Sequence, residues 1–437
     1  MAIQLQKSKE FYEHIKDVIP GGVTSNIRYS LLGSHPLYFE KAQGSKAYDI
    51  DGNEFIDCIV SMGAIILGHG DNDISIAVRK ALESGLTCGL EAAIAFRVAK
   101  KITQMVPAAE QVRFANSGME AIIHALIIAR GVTGKQKLVK VLGHYHGSYD
   151  YVDCSFRPPK ELWGLMPMPI PATPGLTKDL LDKTLVIPWN DLAALERILV
   201  RHGGEIAAVI MEPVNHNIGC ALPEPGYLDG VRELTRRHDV LLIFDEIITG
   251  FRCSPGGAQT FFGVEPDLTT FGKGVANGFP IAVVCGKKEI MECVSPTTLG
   301  GYISFAGTFN GHAICLAAAE ATLAKLETGK IQESFAENTK RLEKGIRESA
   351  EKRGVAARLQ GFGGQFQVYF VREKVIDYRS AFPTNKDMYA KFQRAMFEGG
   401  ILWSTGPYFH HGITAAHSAE DIGRMLDVAD HALNALA

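Results

Sequence analysis

Short, continuous apolar runs recur through the middle of the chain, with stretches of helical spacing between them. Residues 206–211 (Ile-Ala-Ala-Val-Ile-Met) and 240–244 (Val-Leu-Leu-Ile-Phe) are the clearest. Runs this short and this uniformly apolar predict strands buried on both faces, as in a parallel sheet. Val112-Arg113-Phe114-Ala115 predicts another strand and Asn116-Ser117-Gly118 a turn. Residues 119–130, rich in alanine and isoleucine, predict a buried helix, and 137–142 the next strand. This β/α alternation begins near residue 63. It predicts an α/β fold with a doubly wound, mostly parallel central sheet and helices on both faces.

The flanks read differently. The first sixty residues are irregular, with a turn signal at Pro20-Gly21-Gly22-Val23 and a hairpin tip at Asp51-Gly52. Beyond residue 311 the pattern predicts a helix over 313–326, an alternating strand over 365–371, and helices over 388–397 and 419–437. Ser418 is the N-cap of the last helix, with Asp421 three residues on. We therefore expect an amino-terminal segment (1–62), a large domain (63–311) and a smaller α+β domain (312–437), the last joined by the amino-terminal segment.

Charge narrows the function classes. The 437 residues carry 45 basic and 48 acidic side chains, which leaves no electrostatic footprint for nucleic acid or an anionic membrane. No apolar run approaches the roughly 20 residues that span a bilayer. The eight cysteines form no CxxC pair and the amino terminus is polar, so reduced thiols in a cytoplasmic protein are expected.

The candidate chemistry lies at strand ends. Asp245 closes the run 240–244. Lys273 follows the hydroxyl-rich strand end Leu268-Thr269-Thr270-Phe271-Gly272. A lysine so placed can form a Schiff base with an aldehyde, and an aspartate can hold a cationic ring nitrogen. Together they suggest pyridoxal 5'-phosphate (PLP), whose pyridinium acts as an electron sink. Asn116-Ser117-Gly118 lies between a strand and a helix, where backbone N–H groups and the helix dipole suit a phosphate. Tyr145 could lie flat on a cofactor ring, and Asn217, after Glu212-Pro213-Val214, could donate to a phenolic oxygen.

Two competing patterns fall away. Gly272-Lys273-Gly274-Val275-Ala276-Asn277-Gly278 imitates a dinucleotide loop, but Asn277 replaces the needed glycine and the loop falls mid-chain. His144 and His146 have no third and fourth ligand at a readable spacing, so no metal is expected.

At this point the motifs resemble a known family, the class III (subgroup II) aminotransferases of PLP fold type I, and most of all its glutamate-1-semialdehyde 2,1-aminomutase-like members. The resemblance runs from about Pro20 to the carboxyl terminus. It rests on Pro20-Gly21-Gly22-Val23, Ile66-Leu67-Gly68-His69, Asn116-Ser117-Gly118-Met119-Glu120, Tyr145-His146-Gly147, Glu212-Pro213-Val214, Asp245-Glu246-Ile247-Ile248-Thr249-Gly250-Phe251-Arg252, Gly272-Lys273, Gly307-Thr308 and Ala416-His417-Ser418, in order.

The resemblance implies roles. Lys273 is the Schiff-base lysine, Asp245 the partner of the pyridine nitrogen and Tyr145 the stacking aromatic. Ser117, Gly118 and Met119 form the phosphate loop, and Asn217 lies near the phenolic oxygen. Gly307 and Thr308 match a segment that reaches the phosphate from a second subunit, which implies a homodimer with shared sites. Arg28 matches an arginine offered to a substrate carboxylate, a task its planar fork suits.

Three positions depart from the pattern. Met119 stands where the phosphate loop usually has a hydroxyl, and Met62 where the aminomutase has a tryptophan. Counting back from Ala416 without a gap, His410 stands where the aminomutase has a glutamate facing the substrate's amino groups. A partly ionised imidazole there would hold a diamine poorly. The expected activity is therefore PLP-dependent aminotransfer between a carboxylate-bearing amine and a small-molecule carbonyl acceptor. The aminomutase reaction, or a related racemisation, is the alternative, and a non-catalytic PLP binder is the distant one.

Overall fold

The computed structural model describes residues 3–31, 35–164, 167–298 and 302–437. Its centre is a seven-stranded sheet. The strands are β4 (Gln111–Ala115), β5 (Lys137–Val141), β6 (Thr184–Ile187), β7 (Ile206–Met211), β8 (Leu241–Glu246), β9 (Leu268–Phe271) and β10 (Ala282–Gly286), in the order β4-β10-β9-β8-β7-β5-β6. β6, β5, β7, β8 and β9 run parallel, while β10 is antiparallel to both neighbours. All six residues of β7 are buried, as its run of apolar side chains predicts. Helices cover both faces, so hiding each Val, Ile or Leu contributes roughly 1.5–3 kcal/mol.

The amino-terminal strands β1 (Phe39–Gln43), β2 (Lys46–Asp49) and β3 (Glu54–Asp57) form a meander, with Asp51-Gly52 in the turn between β2 and β3. A late strand, β13 (Ile401–Leu402), joins it by pairing parallel with β3. A third sheet holds β11 (Arg358–Phe362), β12 (Gln365–Tyr369) and β14 (His411–Gly412). The amino-terminal segment is thus hydrogen-bonded into the carboxyl-terminal part. The last helix, Ala419–Asn434, starts with the Ser418–Asp421 capping box.

Two differences from the expected elements matter for the site. β8 runs through Asp245 and Glu246, which places both carboxylates inside the sheet. Strand alternation then sends them to opposite faces. The helix Gly118–Thr133 begins one residue early, with the Ser117 side chain accepting from the Glu120 N–H at 3.2 Å. Residues that leave the carboxyl ends of β4, β5, β7, β8 and β9 converge on one crevice, the usual place for a ligand in such a sheet.

Candidate active site

Lys273, Asp245, Tyr145, Asn217, Gly118 and Met119 line one cavity of ≈ 240 Å³, together with Glu212, His146 and Ile247. Six residues named from sequence, from five separate segments, therefore meet. Lys273 opens a short 3-10 turn, Lys273–Ala276, with φ of 42°, a strained value for a residue with a side chain. Asn277 ends that turn in the left-handed region. Its amide accepts from the Ile66 and Leu67 N–H groups at 2.8 and 2.9 Å and donates to Gly68 O at 2.9 Å. The false dinucleotide loop is thus a clasp that ties the lysine's turn to residues 66–68.

Two carboxylates organise the floor. Asp245 Oδ2 receives a hydrogen bond from His146 Nδ1 at 2.7 Å, and Oδ1 one from the Ile247 N–H at 3.1 Å. Glu246 faces the other way, toward Thr249 and Gln259. Glu212 Oε1 accepts from the Tyr145 N–H and from Asn217 Nδ2, each at 2.9 Å, and Oε2 from the His216 N–H at 3.3 Å. Burial, reinforced by the Asp245 charge, pushes Glu212 up to about 8. Burial likewise brings Lys273 down to about 8, against the pull of the Asp245 and Glu212 carboxylates. Burial also holds His146 below its ordinary value despite Asp245.

The loop that carries Tyr145 and His146 is held from below. Buried Lys140 donates to His144 O at 3.1 Å, to Val152 O at 3.0 Å and to Cys154 O. Tyr145 stays 39% exposed, its ring 5.0 Å from that of Phe156. The two histidines weighed and set aside as metal ligands serve separate partners. His144 Nδ1 accepts from the Glu212 N–H at 2.9 Å, whereas His146 bonds Asp245.

The turn expected to hold the phosphate is shaped by a close approach. A Cβ on Gly118 would stand 3.0 Å from Ile247 Cδ1, and one on Gly272 3.1 Å from the same atom. Ser117 caps the Glu120 N–H, so the Gly118 and Met119 amides at the first turn keep no acceptor within the helix. They are free for an anion, whatever side chain stands at 119.

The remaining predicted residues lie apart. His410 is buried and contacts Met62 O through Nε2 (3.3 Å) and His216 O through Nδ1 (3.1 Å). Met62 belongs to a left-handed run, Val60, Ser61 and Met62, with φ of 44°, 52° and 56°. The expectation of a partly ionised His410 is corrected. Burial, with Lys273 and His216 nearby, drives it well below the usual histidine value, so the ring is neutral. Arg28 is exposed and donates to Thr24 Oγ1 at 2.7 Å within its own turn, outside the cavity lining. Gly307 and Thr308 are exposed and also absent from that lining.

Sequence reasoning passed over His146 and Glu212 as the supports of the site. The signal was present, since Glu212 closes an all-apolar strand just as Asp245 does.

A strand-end lysine and aspartate, a helix turn with open amides and an exposed tyrosine line one cavity, the set of groups a PLP-dependent enzyme of the aminotransferase fold requires. Residues 31–407 match the family model "Aminotransferase class-III", and the chain belongs to that family. It is 40% identical over 402 residues to a glutamate-1-semialdehyde 2,1-aminomutase of Methanocaldococcus jannaschii, covering 92% of each chain. Among solved structures it resembles an omega-transaminase from Sphaerobacter thermophilus, with TM-score 0.90, 32% identity, and 98% and 97% of the two chains covered. It also resembles a glutamate-1-semialdehyde aminomutase from Pseudomonas aeruginosa PAO1 in complex with PMP, with TM-score 0.87, 26% identity, and 99% and 95% covered. Its cofactor is pyridoxal 5'-phosphate.

Proposed function

We propose that this chain is an aminotransferase that moves an amino group from a carboxylate-bearing amine to a separate carbonyl acceptor. When bound, PLP supplies an electron sink for the carbon that carries the amine. Lys273 would hold the cofactor covalently, and its Nζ, once released, would take a proton from that carbon and return it elsewhere. A Lys273 value near 8 keeps an appreciable share of Nζ unprotonated at neutral pH, as a base requires. Asp245, oriented by His146 and the Ile247 N–H, would keep the pyridine nitrogen protonated. The amides of Gly118 and Met119 would hold the phosphate, and Glu212 would aim Tyr145 and Asn217 at the ring.

The observation that carries this reading is His410. The resemblance places a carboxylate there in the aminomutase, whereas here a neutral, buried imidazole stands near Lys273. Nothing negative at 410 would retain a diamine while its nitrogens exchange roles. The second reading is the aminomutase itself, and relatives named so at 37–40% identity favour it over simple aminotransfer. One assay separates the two. Supplied with glutamate-1-semialdehyde and no amino donor, the holoenzyme is expected to form little 5-aminolevulinate, while a panel of amino acids converts it to the pyridoxamine form. Efficient 5-aminolevulinate formation decides for the aminomutase.

The working unit is proposed to be a homodimer. Gly307 and Thr308 stand off their own cavity, and a groove bordered by Leu86, Leu90 and Ala317 leaves apolar surface uncovered. Sedimentation that finds an active monomer at assay concentration rules this out. All eight cysteines are unpaired, which supports a reducing, cytoplasmic setting.

A further inference from the structure

Arg157 is a half-buried cation beside the cavity with no acidic partner among the described residues. Its Nη2 donates to Asn217 O at 2.8 Å and to Tyr408 O at 3.3 Å. Its Nε is buried and makes no hydrogen bond. Among the described residues Nη1 has no hydrogen-bond partner either, and it is not sealed off, so this end of the fork is open. The guanidinium lies against the rings of Phe156 and Phe409, at 4.5 and 4.4 Å from their centroids. Aromatic faces hold its plane in a set orientation and favour its charge.

Its neighbours tie it to the cavity. Asn217 and Tyr145 both line the cavity. Arg157 bonds the backbone of the first, and Phe156 packs on the ring of the second. On the other side the segment Tyr408-Phe409 leads directly into His410. A desolvated guanidinium with only carbonyl partners is costly unless an anion completes it. Arg252 is also without an acidic partner, but it is 1% exposed and closed over by Gly63 O and Ile65 O, so no ligand reaches it. Arg28, the arginine named from resemblance, is exposed and bound within its own turn.

We propose that Arg157 is the anion anchor of the substrate site. The carboxylate of the amino substrate or of its acceptor would pair with Nη1, the open end of the fork, on the side of the cavity where Asn217 stands. This deepens the amino-transfer reading, on which it rests, by naming where the carboxylate is held and which arginine selects it.

The test is binding of unreactive carboxylates, from propionate to glutarate, to the PLP-loaded enzyme. Their amides serve as neutral controls, and cofactor absorbance and calorimetry are the readouts. In Arg157→Gln the tightest-binding carboxylate is expected to weaken about 100-fold, with its amide changed less than about threefold and the cofactor spectrum unaltered. Arg157→Lys keeps the charge but not the fork, and about a tenfold loss is expected. It also serves as the test if the glutamine variant does not fold. Three outcomes overturn the proposal. The wild type binds none of the carboxylates, carboxylate and amide weaken equally, or Arg28→Gln loses more carboxylate affinity than either Arg157 variant. Because no turnover is involved, a failure of amino transfer leaves this result readable, and the converse also holds.

Discussion

The floor of the cavity and its rim are built on different principles. The floor residues stand at the ends of packed strands and hold one another. His146 bonds Asp245, Glu212 fixes Tyr145 and Asn217, and Ile247 is wedged between Gly118 and Gly272. The residues grouped as its rim lie outside the cavity lining and stand on irregular backbone. Arg28 lies in a 3-10 turn, Met62 in a left-handed run, and Gly307 and Thr308 on an exposed segment. Chemistry common to many substrates can be built into a sheet, whereas choice of substrate is left to loops that change without disturbing it. The same division orders the effects of substitutions.

The floor should be the more sensitive. Lys273→Ala is expected to lower turnover by about 10⁴-fold or more, since nucleophile and base are lost together. Borohydride reduction of the wild type should fix the cofactor to Lys273. A peptide map with the label on Lys287 or Lys288 would sink the assignment. Asp245→Asn should keep the cofactor and lose about 10³-fold in turnover, as expected where a buried carboxylate sets a proton's position. Near wild-type rates in that variant would remove Asp245 from the mechanism.

Titration gives a subtler probe of the floor. Burial lowers Lys273 to about 8, and the Glu212 carboxylate partly opposes that shift. Glu212 itself titrates near 8, so the midpoint belongs to the pair. The reactive species is the free amine. Reconstitution of apoprotein with PLP should therefore speed up with pH by roughly tenfold per unit and level off near 8, not near 10. Glu212→Gln removes a negative neighbour, so the midpoint should fall. A plateau only above pH 10, or a midpoint that rises in Glu212→Gln, would contradict this account. The stability sign agrees. The unfolded chain holds the Lys273 proton to higher pH, so this group makes the apoprotein more stable as pH rises from about 8 toward 10.5.

What was legible in the sequence follows the same boundary. Residues 206–211 were bounded correctly because uniform burial gives a uniformly apolar run, and 313–326 because its alanine- and leucine-rich spacing is helical. Asp245 closes such a run and Lys273 follows a hydroxyl-rich strand end; each alone has a bland explanation, and it was their pairing that stood out. The antiparallel β10 was not visible, since strand direction depends on partners distant in sequence. The bonds of His146 and Glu212 were hidden for the same reason. Arg157 had no motif to mark it, because its meaning lies in rings and carbonyls brought from residues 217 and 408–409.

The phosphate turn lies between floor and rim, and an intermediate effect is expected there. In Gly118→Ala the new methyl meets Ile247, which must shift, at a cost of about 1 kcal/mol or roughly fivefold in cofactor affinity. Ile247→Ala in the same chain removes the atoms it meets and should recover most of that loss. A double-mutant cycle without coupling would mean that the turn is not shaped by this contact.

The smallest effect is expected at His410, and it sharpens the comparison most, because that residue reaches from the rim toward Lys273. Two carbonyl oxygens face its ring nitrogens, Met62 O and His216 O. A neutral imidazole can donate to only one of them. A charged ring could donate to both, but burial and the nearby Lys273 and His216 oppose the charge. If the ring is neutral across pH 6–8, it contributes no limb to the turnover profile in that range. His410→Gln keeps one N–H donor in reach of those carbonyls. It should change aminotransfer by less than about threefold and leave the profile's shape intact. Suppose instead that wild-type turnover has a limb near the ordinary histidine value of about 6.5, and that His410→Gln abolishes it. Then His410 ionises during the reaction, its neutrality no longer argues against a retained diamine, and the case for simple aminotransfer over the aminomutase loses its main support.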